Sequence, residues 1–410
     1  MNCQIQAVFL KKKSTNRMTK KAKYTIFGKD LDPAAISQME DAISLPVSVK
    51  GALMPDAHLG YGLPIGGVLA VKDAIIPYAV GVDIACRMKM SVLPIPFKNY
   101  QTHKQVFRQA LETQTKFGVG EEFSRPRQHR VMDEDWTFSH VVKSLKDKAH
   151  KQLGTSGSGN HFAEFGRLYL TQDDIGLTAG EYIAFLTHSG SRGAGARIAD
   201  HYSNLAKRLH PELGKPLNNL AWLDMKKGEG IEYFKAMELM GRYASASHEI
   251  IHTAVLSFLG EESIATIENH HNFAWKEKIG LHSVIVHRKG ATPADKGVLG
   301  IIPGSMADPG FIVRGLGNDD SLNSAAHGAG RQMSRNAAMK RFSFKDLQKI
   351  LQKKEVTLIS AGLDEIPMAY KNIEVVMDQQ KDLVETVAKF EPRLVKMAPP
   401  GRKKRRKKRK

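Results

Sequence analysis

The stretch Gly81-Val82-Asp83-Ile84-Ala85-Cys86-Arg87 places a carboxylate and a thiol three residues apart, directly before a largely apolar run from Met88 to Ile95. The alternation of that run predicts a strand with one buried face. Cys86 is one of only two cysteines in the chain. A hard oxygen ligand beside a soft sulfur ligand is typical of a metal site when histidines reach it from elsewhere. The stretch therefore predicts a strand that begins at a metal-ligating turn.

Four histidines share one kind of sequence context, in which a strand-like segment adjoins glycine, serine or asparagine. They occur in SGSGNH161F, LTH188SGSRG, IENHH271N and SAAH327GAGR. A single histidine of this kind is usually structural. Four of them, together with Asp83 and Cys86, predict that strand ends meet in one cleft and supply the ligands of a metal.

The glycines beside these histidines have a second use, because they let backbone N–H groups approach phosphate oxygens closely. Arg192, Arg331 and Arg335 follow the same turns, and guanidinium groups bind phosphates in a forked geometry. Metal ligands, anion-binding turns and arginines together indicate phosphoryl or nucleotidyl transfer.

The charge of this 410-residue chain is uneven, although the formal total is +19. Residues 402–410 are all Lys or Arg, and residues 1–23 hold seven basic residues and no acidic one. Basic tails are typical of nucleic-acid-binding arms, although a solvated tail or a nuclear-localisation run fits the same composition. We predict a disordered basic leader over residues 1–23, one catalytic domain over 24–397 and a disordered basic tail over 398–410.

Two cysteines do not make a disulfide framework, and no segment is long enough to span a membrane. The sequence therefore predicts a soluble, cytoplasmic protein. Strands and helices alternate irregularly, which favours an α+β fold over a doubly wound parallel sheet. Helices are predicted over residues 98–116, 137–152, 196–209, 231–258 and 373–390, and a long ordered loop over residues 51–67.

Eight motifs occur in one order along the chain: MPDAHLGYGLPIGG, GVDIAC, GSGNHFAE, HSGSRG, HHN, HRKGATPA, PGSM and HGAGRQMSR. From about residue 51 to residue 397 they closely resemble the RtcB-type RNA ligases. The resemblance implies one large domain of packed mixed and antiparallel sheets flanked by helices. It also implies a ligase that depends on GTP and Mn²⁺ and joins RNA 3′-phosphate or 2′,3′-cyclic-phosphate ends to 5′-hydroxyl ends.

The resemblance also implies roles for individual residues. His327 matches the nucleophile that takes GMP through a phosphoramidate bond. The ligands of two Mn²⁺ ions would be Asp83, Cys86, His161, His188 and His271, with Cys86 as the bridge. The guanylate contacts would be Asn160, Phe162, Glu164, Asn272, Pro303, Gly304, Ser305, Met306, Gly328, Ala329, Gly330, Tyr370 and Lys396. RNA phosphates would be held by Arg192, Arg331 and Arg335.

Several residues depart from the family pattern or lack a clear role. Arg87 stands where many members carry glycine, and Gly310 stands where a serine that contacts GMP is often found. Asp56 and His58 are interpreted as residues that fix a loop by hydrogen bonds. These departures favour a branch dedicated to repair of a particular RNA, either tRNA or rRNA.

Two alternatives to a ligase remain open. A metal-dependent RNA phosphodiesterase would need neither GTP nor His327, and a non-catalytic RNA- or ribosome-binding protein would have kept only the fold. An intact set of metal ligands favours the enzyme. An activating protein partner is compatible with the sequence, and a monomer is the favoured oligomeric state.

Overall fold

The computed structural model describes residues 22–215 and 217–400. Cys3, residues 1–21 of the predicted leader and residues 401–410 of the predicted tail lie outside them. The described residues form the following strands and helices. In chain order they are β1 (Lys23–Ile26), α1 (Pro33–Ile43), β2 (Ser48–His58), β3 (Ile65–Val71), β4 (Ala74–Ile75), α2 (Pro77–Val80), β5 (Arg87–Pro96), α3 (Tyr100–Gln114), α4 (His140–Gln152), β6 (Phe162–Leu170), β7 (Gly180–Ser189), α5 (Arg192–Leu209), β8 (Leu223–Asp224), α6 (Gly228–Leu259), β9 (Ala265–His270), β10 (Asn272–Ile279), β11 (His282–Lys289), β12 (Ala291–Pro293), β13 (Leu299–Ile302), β14 (Gly310–Gly315), β15 (Ser324–Ala326), α7 (Arg335–Arg341), α8 (Phe344–Lys353), β16 (Thr357–Ser360), α9 (Ile373–Asp378) and β17 (Val384–Met397).

The larger sheet has the strand order β13-β14-β17-β6-β7-β5-β9, and β16 pairs with β17 in parallel. Its two end strands meet, because the backbone N–H of Ile301 in β13 donates to Asn269 Oδ1 in β9 (3.0 Å). The sheet is therefore nearly closed into a barrel. Alternate side chains of each strand fill its interior, since successive residues of a strand point to opposite faces. Met88, Met90 and Val92 do so from β5, which confirms the predicted alternation.

The smaller sheet has the order β1-β2-β3-β11-β10 and is antiparallel except between β1 and β2. Both of its faces are covered. Leu53 and Ala57 of β2 pack toward the helices, whereas Ala52 and Met54 pack into a separate cluster on the other face. A strand that is buried on both faces shows no polar–apolar alternation, which removes the pattern by which strands are usually recognised.

The predicted continuous loop over residues 51–67 is wrong for this reason. β2 continues to His58, β3 begins at Ile65, and only the six residues between them connect the strands. The β2–β3 register shifts between Leu53 and His58. Pro55 lies inside that irregular section, where the missing N–H of a proline removes no regular ladder hydrogen bond.

Four predicted helices are confirmed as α3, α4, α5 and α6. Helix α6 is 32 residues long and largely buried, and it packs with α4 and α5 on the smaller sheet. Helix α3 covers the outside of the barrel, where Phe107 stacks on Phe165 of β6 (ring centroids 4.5 Å apart). Among the described residues, no helix combines the length and apolar composition needed to cross a bilayer.

The predicted helix over residues 373–390 is wrong in its second half. The helical part ends at Asp378, and Val384 begins a 14-residue strand that lies between β14 and β6. β-Branched residues and Pro392 suit a strand better than a helix, but pairing with distant strands decides the outcome. The fold class is nevertheless confirmed: the described chain is an α+β domain of mixed sheets flanked by helices.

Candidate active site

The turn that holds Asp83 and Cys86 connects α2 to β5. The backbone N–H of Cys86 donates to the Asp83 carbonyl (3.2 Å), and Ala85 adopts a positive φ of 56°. Asn272, at the start of β10, fixes the turn from outside: its Nδ2 donates to the Asp83 carbonyl (3.2 Å) and its own carbonyl accepts from Ala85 N (2.7 Å). The turn is therefore rigidly attached to the neighbouring sheet.

The predicted metal-ligating histidines all lie at strand ends. His161 precedes β6, His188 is next to the last residue of β7, and His271 separates β9 from β10. β7 and β9 pair with β5, and β6 pairs with β7, so these strands bring the three imidazoles to the end of the sheet at which Cys86 lies.

The five side chains form two overlapping groups. Asp83, Cys86 and His161 make one, Cys86, His188 and His271 make the other, and within each group the ligand atoms lie within 4.8 Å of one another. Cys86 Sγ is 3.0 Å from His188 Nε2 and 3.5 Å from His161 Nε2. Only the thiol belongs to both groups, so it would be the shared ligand if each group held an ion.

The protonation states of the histidines and of Asp83 fit a cation between these groups, whereas burial raises the pKa of the Cys86 thiol well above its usual value. Burial lowers the pKa of His188 to about 3 and lowers that of His271 strongly, so both imidazoles are neutral at neutral pH. Nδ1 of His188 donates to the Asn160 carbonyl (3.0 Å), so in the neutral ring Nε2, which lies 3.2 Å from His271 Nε2, carries a lone pair that a cation can bind. Burial alone would raise the pKa of Asp83, but the hydrogen bond and charge of His161, together with Cys86 and His188, outweigh it and lower that pKa to about 2.

The glycine at position 190 has a steric role at this cluster. A Cβ atom added there would lie 2.0 Å from Asp83 Oδ1, well inside van der Waals contact. The loop after β7 therefore reaches the Asp83 carboxylate only because residue 190 has no side chain. Gly190 of the HSGSRG motif thus acts through close packing on the metal-ligating turn.

His327 lies beside the cluster, with its ring centroid 4.9 Å from that of His271. Its Nδ1 is 2.6 Å from Oδ2 of Asp56, which also accepts the His327 backbone N–H (3.2 Å). Asp56 is fully buried in β2. A carboxylate oxygen accepts hydrogen bonds, so in the neutral imidazole Nδ1–H donates to Asp56 Oδ2 and Nε2 of His327 carries the lone pair.

Two further residues hold Asp56 in place. Lys371 Nζ donates to the carbonyls of Pro55 (3.1 Å) and Ala57 (2.8 Å), on either side of it. Gly330 has a φ of +70°, and an added Cβ would lie 2.1 Å from the Asp56 carbonyl oxygen. The HGAG turn can therefore pack on β2 only with glycine at this position.

A pocket opens next to His327, and most of the predicted guanylate contacts line it. Its walls come from β6, the PGSM turn, the HGAGR turn and the segment around Tyr370. The predicted residues among its lining are Asn160, Phe162, Glu164, Pro303, Gly304, Ser305, Met306, Gly328, Ala329, Gly330 and Tyr370, together with Arg331 and Arg335.

Glu164 is an unusual member of this lining, because it is buried and its carboxyl group makes no hydrogen bond within the described residues. Burial raises its pKa well above the usual range of a carboxyl group. A buried carboxyl without a protein partner destabilises the fold, and such a group is typical of a ligand-binding position.

Three of the predicted guanylate and RNA-phosphate contacts do not line the pocket. The Asn272 side chain bonds to the Asp83 turn and to the N–H of Gly290 (2.7 Å). Lys396 Nζ donates to the carbonyls of Leu111 (2.7 Å) and Thr115 (2.9 Å) at the end of α3. Arg192 Nε donates to Thr155 Oγ1 (3.0 Å).

The two arginines of the HGAGRQMSR motif are already paired with carboxylates. Arg331 Nη1 is 3.0 Å from Glu365 Oε2, and Arg335 Nη1 is 3.0 Å from Asp364 Oδ2 and also contacts Glu365. Arg331 lies over the ring of Tyr370 (5.0 Å). Part of their charge is therefore balanced within the protein.

The sequence interpretation did not assign a site role to Asp56 or Glu365. Asp56 was interpreted as a loop residue, and its spacing from His327 in the sequence gives no indication that they meet. Glu365 is buried among arginines, with no motif around it. The available signal was chemical: a nucleophilic imidazole needs an orienting group, and MPDAH contains a carboxylate.

Arg87 follows Cys86 but its guanidinium is directed to α6 and β9. Its Nε is 2.8 Å from Glu268 Oε1, and its Nη1 donates to the Gly241 carbonyl (3.0 Å). The residue is buried. Its charge is therefore balanced by Glu268.

The fold and the site together define a class of protein: an α+β domain in which clustered metal-ligand side chains adjoin a carboxylate-held histidine and a pocket.

The sequence model of one protein family, described as tRNA-splicing ligase RtcB, matches residues 38–147 and 132–397. The RNA-splicing ligase RtcB of Escherichia coli (strain K12) is 34% identical over 394 residues, which cover 88% of this chain and 93% of that protein. The tRNA-splicing ligase RtcB of Methanococcus maripaludis is 32% identical over 439 residues, with 88% and 91% covered. The chain belongs to the RtcB family, as its motifs predict.

Proposed function

We propose that this protein is an RNA ligase that uses GTP and two Mn²⁺ ions to join a 3′-phosphate or 2′,3′-cyclic-phosphate end to a 5′-hydroxyl end. The observation that carries the proposal is His327, held at Nδ1 by buried Asp56 (2.6 Å) between the metal-ligand cluster and the pocket. The names of the relatives, RNA-splicing and tRNA-splicing ligases, support the same reaction class.

In the first proposed step, Nε2 of His327 attacks the α-phosphorus of GTP. The new bond is N–P, the bond between the α-phosphorus and the bridging oxygen breaks, and pyrophosphate leaves. Asp56 holds the Nδ1 proton throughout, which keeps the lone pair on Nε2 and stabilises the positive charge that the ring gains. Asp56 thus acts as a positioning residue rather than as a proton acceptor.

The remaining steps transfer GMP to RNA. An oxygen of the RNA 3′-phosphate attacks the phosphorus of GMP, and the N–P bond breaks to regenerate His327. The 5′-hydroxyl oxygen then attacks the activated 3′-phosphorus, its proton passes to solvent, and GMP leaves as the 3′–5′ phosphodiester forms. A cyclic phosphate first requires hydrolysis by one water to the 3′-phosphate.

The pocket suits the guanine base of GTP. The unpartnered Glu164 carboxyl can accept from the ring N–H and the amino group of guanine, a pattern that adenine lacks. Asn160, Phe162, Tyr370 and the PGSM and HGAGR turns would surround the nucleotide. Asn272 and Lys396 remain proposed contacts, although Asn272 Nδ2 donates to the Asp83 carbonyl and Lys396 Nζ donates to the Leu111 carbonyl.

The metal-ligand cluster suits two divalent ions that share the Cys86 thiolate. Bound ions would neutralise phosphate charge and polarise the α-phosphorus next to His327. The thiolate, imidazole and carboxylate donors also accept Zn²⁺ or Co²⁺, so the assignment of Mn²⁺ rests on the family resemblance. Arg192, Arg331 and Arg335 are proposed to contact RNA phosphates near these ions.

The proposal is tested by incubating the protein with [α-³²P]GTP and Mn²⁺ and separating the products on a denaturing gel. A labelled protein band that is acid-labile and absent in His327→Ala is expected. Addition of RNA with the stated ends should discharge the label and yield joined RNA only when GTP is present. RNA cleavage without GTP and without a labelled band would instead favour a phosphodiesterase.

A further inference from the structure

A basic groove runs between helices α4 and α5, outside the pocket and the metal-ligand cluster. Lys148 lines it from α4, and Arg197, His201 and Arg208 line it from α5, with Asp200 as its one acidic residue. All five side chains are exposed. We call this surface the α4–α5 groove.

Positive charge is concentrated on these two helices. They contain eight Lys or Arg residues against two Asp residues, although the described part of the chain is close to neutral. Cations that lie close together repel one another and destabilise the fold unless a partner neutralises them. Three of the eight, Lys148, Arg197 and Arg208, line the groove, and this local excess of positive charge indicates an anionic partner.

The arginines of the groove also differ from most others in the protein. Nine of the sixteen arginines in the described residues lie within 4.0 Å of a carboxylate oxygen. Six of the remaining seven fall between residues 125 and 208, and Arg197 and Arg208 are two of them. Arg197 and Arg208 are thus exposed arginines without a carboxylate within 4.0 Å, unlike most arginines of the described residues.

The groove leads to the metal-ligand cluster. A Cβ added at Gly193 would lie 3.5 Å from Lys148 Nζ, so the lysine stands at the start of α5. The preceding residue, Arg192, has its Nη1 next to Gly157, where an added Cβ would also touch the His161 ring. A row of cations therefore extends from His161 along α5. Arg197 and Arg208 are eleven residues apart on the helix, which corresponds to about 16 Å.

We propose that the α4–α5 groove binds the phosphate backbone of the RNA strand next to the end that is joined. This inference rests on the proposed ligase function. Unpaired cations spaced along a helix suit a polyanion of regular charge, and they contact the backbone without reading the base sequence. The exposed His201 ring offers a stacking surface for one base. An acidic protein would account for the charge, but not for a row that ends at the ligands of the catalytic metals.

The test compares two double variants of equal charge. Arg197→Ala/Arg208→Ala removes two cations from the groove, and Lys349→Ala/Lys353→Ala removes two exposed, unpaired cations from α8. Binding of a 3′-phosphorylated single-stranded RNA is measured over a range of salt concentrations, and His327 guanylylation without RNA gives the fraction of active protein.

The groove variant should bind about tenfold more weakly at low salt, and its slope of log K against log salt should fall by about 1.4. The α8 variant should bind within about twofold of the unmodified protein.

A third variant changes affinity in the opposite direction. Asp200→Asn removes the one negative charge of the groove and should strengthen RNA binding at low salt. Equal RNA affinity in the groove variant and the unmodified protein would overturn the proposal, and so would an equal loss in the α8 variant, which would reflect net charge alone. Absence of guanylylation in the unmodified protein would instead contradict the proposed ligase function, so the two failures are distinguishable.

Discussion

Asp56 and His327 are 271 residues apart in the sequence, and Oδ2 of the first lies 2.6 Å from Nδ1 of the second. The aspartate is rigid because β2 is buried on both faces, and the histidine lies directly after β15. The same carboxylate oxygen accepts both the ring and the backbone N–H of His327. The imidazole is therefore fixed in orientation and tautomer before a nucleotide binds.

Asp56→Asn should slow guanylylation of His327 without unfolding the protein. The amide has the same shape but donates toward Nδ1, which moves the ring proton to Nε2 and removes the nucleophilic lone pair. We expect a loss of about a hundredfold to ten-thousandfold in the single-turnover rate with [α-³²P]GTP. His327→Ala serves as the zero-activity reference. A rate for Asp56→Asn within about threefold of the unmodified protein would show that Asp56 has no orienting role.

Two adjacent histidines allow a matched test of the metal-ligand cluster. His271 faces His188 (3.2 Å), whereas His270 stacks on Trp275 (5.1 Å) on the opposite side of the chain. His271→Ala should lose bound divalent metal after dialysis, and His270→Ala should retain it, as measured by elemental analysis. Added Mn²⁺ should raise the melting temperature of His270→Ala but change that of His271→Ala much less, because ligands stabilise only a state that binds them. Equal metal content in the two variants would contradict the assignment of His271.

The chemistry of the site was more accessible from the sequence than the shape of the fold. Asp83 and Cys86 are close in sequence, and strand-end histidines in glycine-rich contexts are recognisable locally. The Asp56–His327 contact and the β2 strand are not, because they depend on which distant strands pair. The second half of the predicted helix over residues 373–390 failed for the same reason, since β17 is stabilised by neighbours that local periodicity does not reveal.

Glu164→Gln should stabilise the protein at neutral pH while weakening GTP binding. Burial raises the pKa of Glu164 in the folded state above its ordinary value of 4.5. The folded state therefore binds the Glu164 proton more tightly than the unfolded state does. This contribution to the free energy of unfolding is complete below pH 4.5 and is lost as the pH rises toward the folded pKa. The glutamine of Glu164→Gln does not ionise, so the variant does not lose this stability. Its free energy of unfolding, relative to that of the unmodified protein, should therefore grow by about 1.4 kcal/mol per pH unit between pH 4.5 and the folded pKa.

Urea unfolding of both proteins at several pH values between about 4 and 7 measures this difference. Glu164→Asp is the companion variant, because it keeps the carboxyl but withdraws it from the pocket. An advantage of Glu164→Gln that does not change with pH would mean that the pKa of Glu164 is the same in the folded and the unfolded protein.

Arg87→Gly should act on stability more than on metal binding. The substitution leaves Glu268 with Lys89 (3.2 Å) as its remaining cation and empties the buried position beside Gly241. We expect the free energy of unfolding to fall by about 1.5–3 kcal/mol. The double variant Arg87→Gly/Glu268→Gln should recover part of the loss, since it removes the carboxylate that has lost its Arg87 partner. A large drop in metal content with unchanged stability would instead indicate that Arg87 acts on Cys86.

Deletion of residues 402–410 should weaken RNA binding mainly at low salt. These nine residues are all Lys or Arg, and charge-based contacts with phosphates weaken as salt concentration rises. A chain with glutamine at all nine positions is the matched control, because it keeps the length and removes the charge. Both variants should bind RNA alike, less tightly than the unmodified protein at low salt and equally tightly at high salt.

If the tail and the α4–α5 groove contact different phosphates, their losses should add when the deletion is combined with Arg197→Ala/Arg208→Ala. A combined loss no greater than that of the groove variant alone would mean that the tail contributes no separate contact.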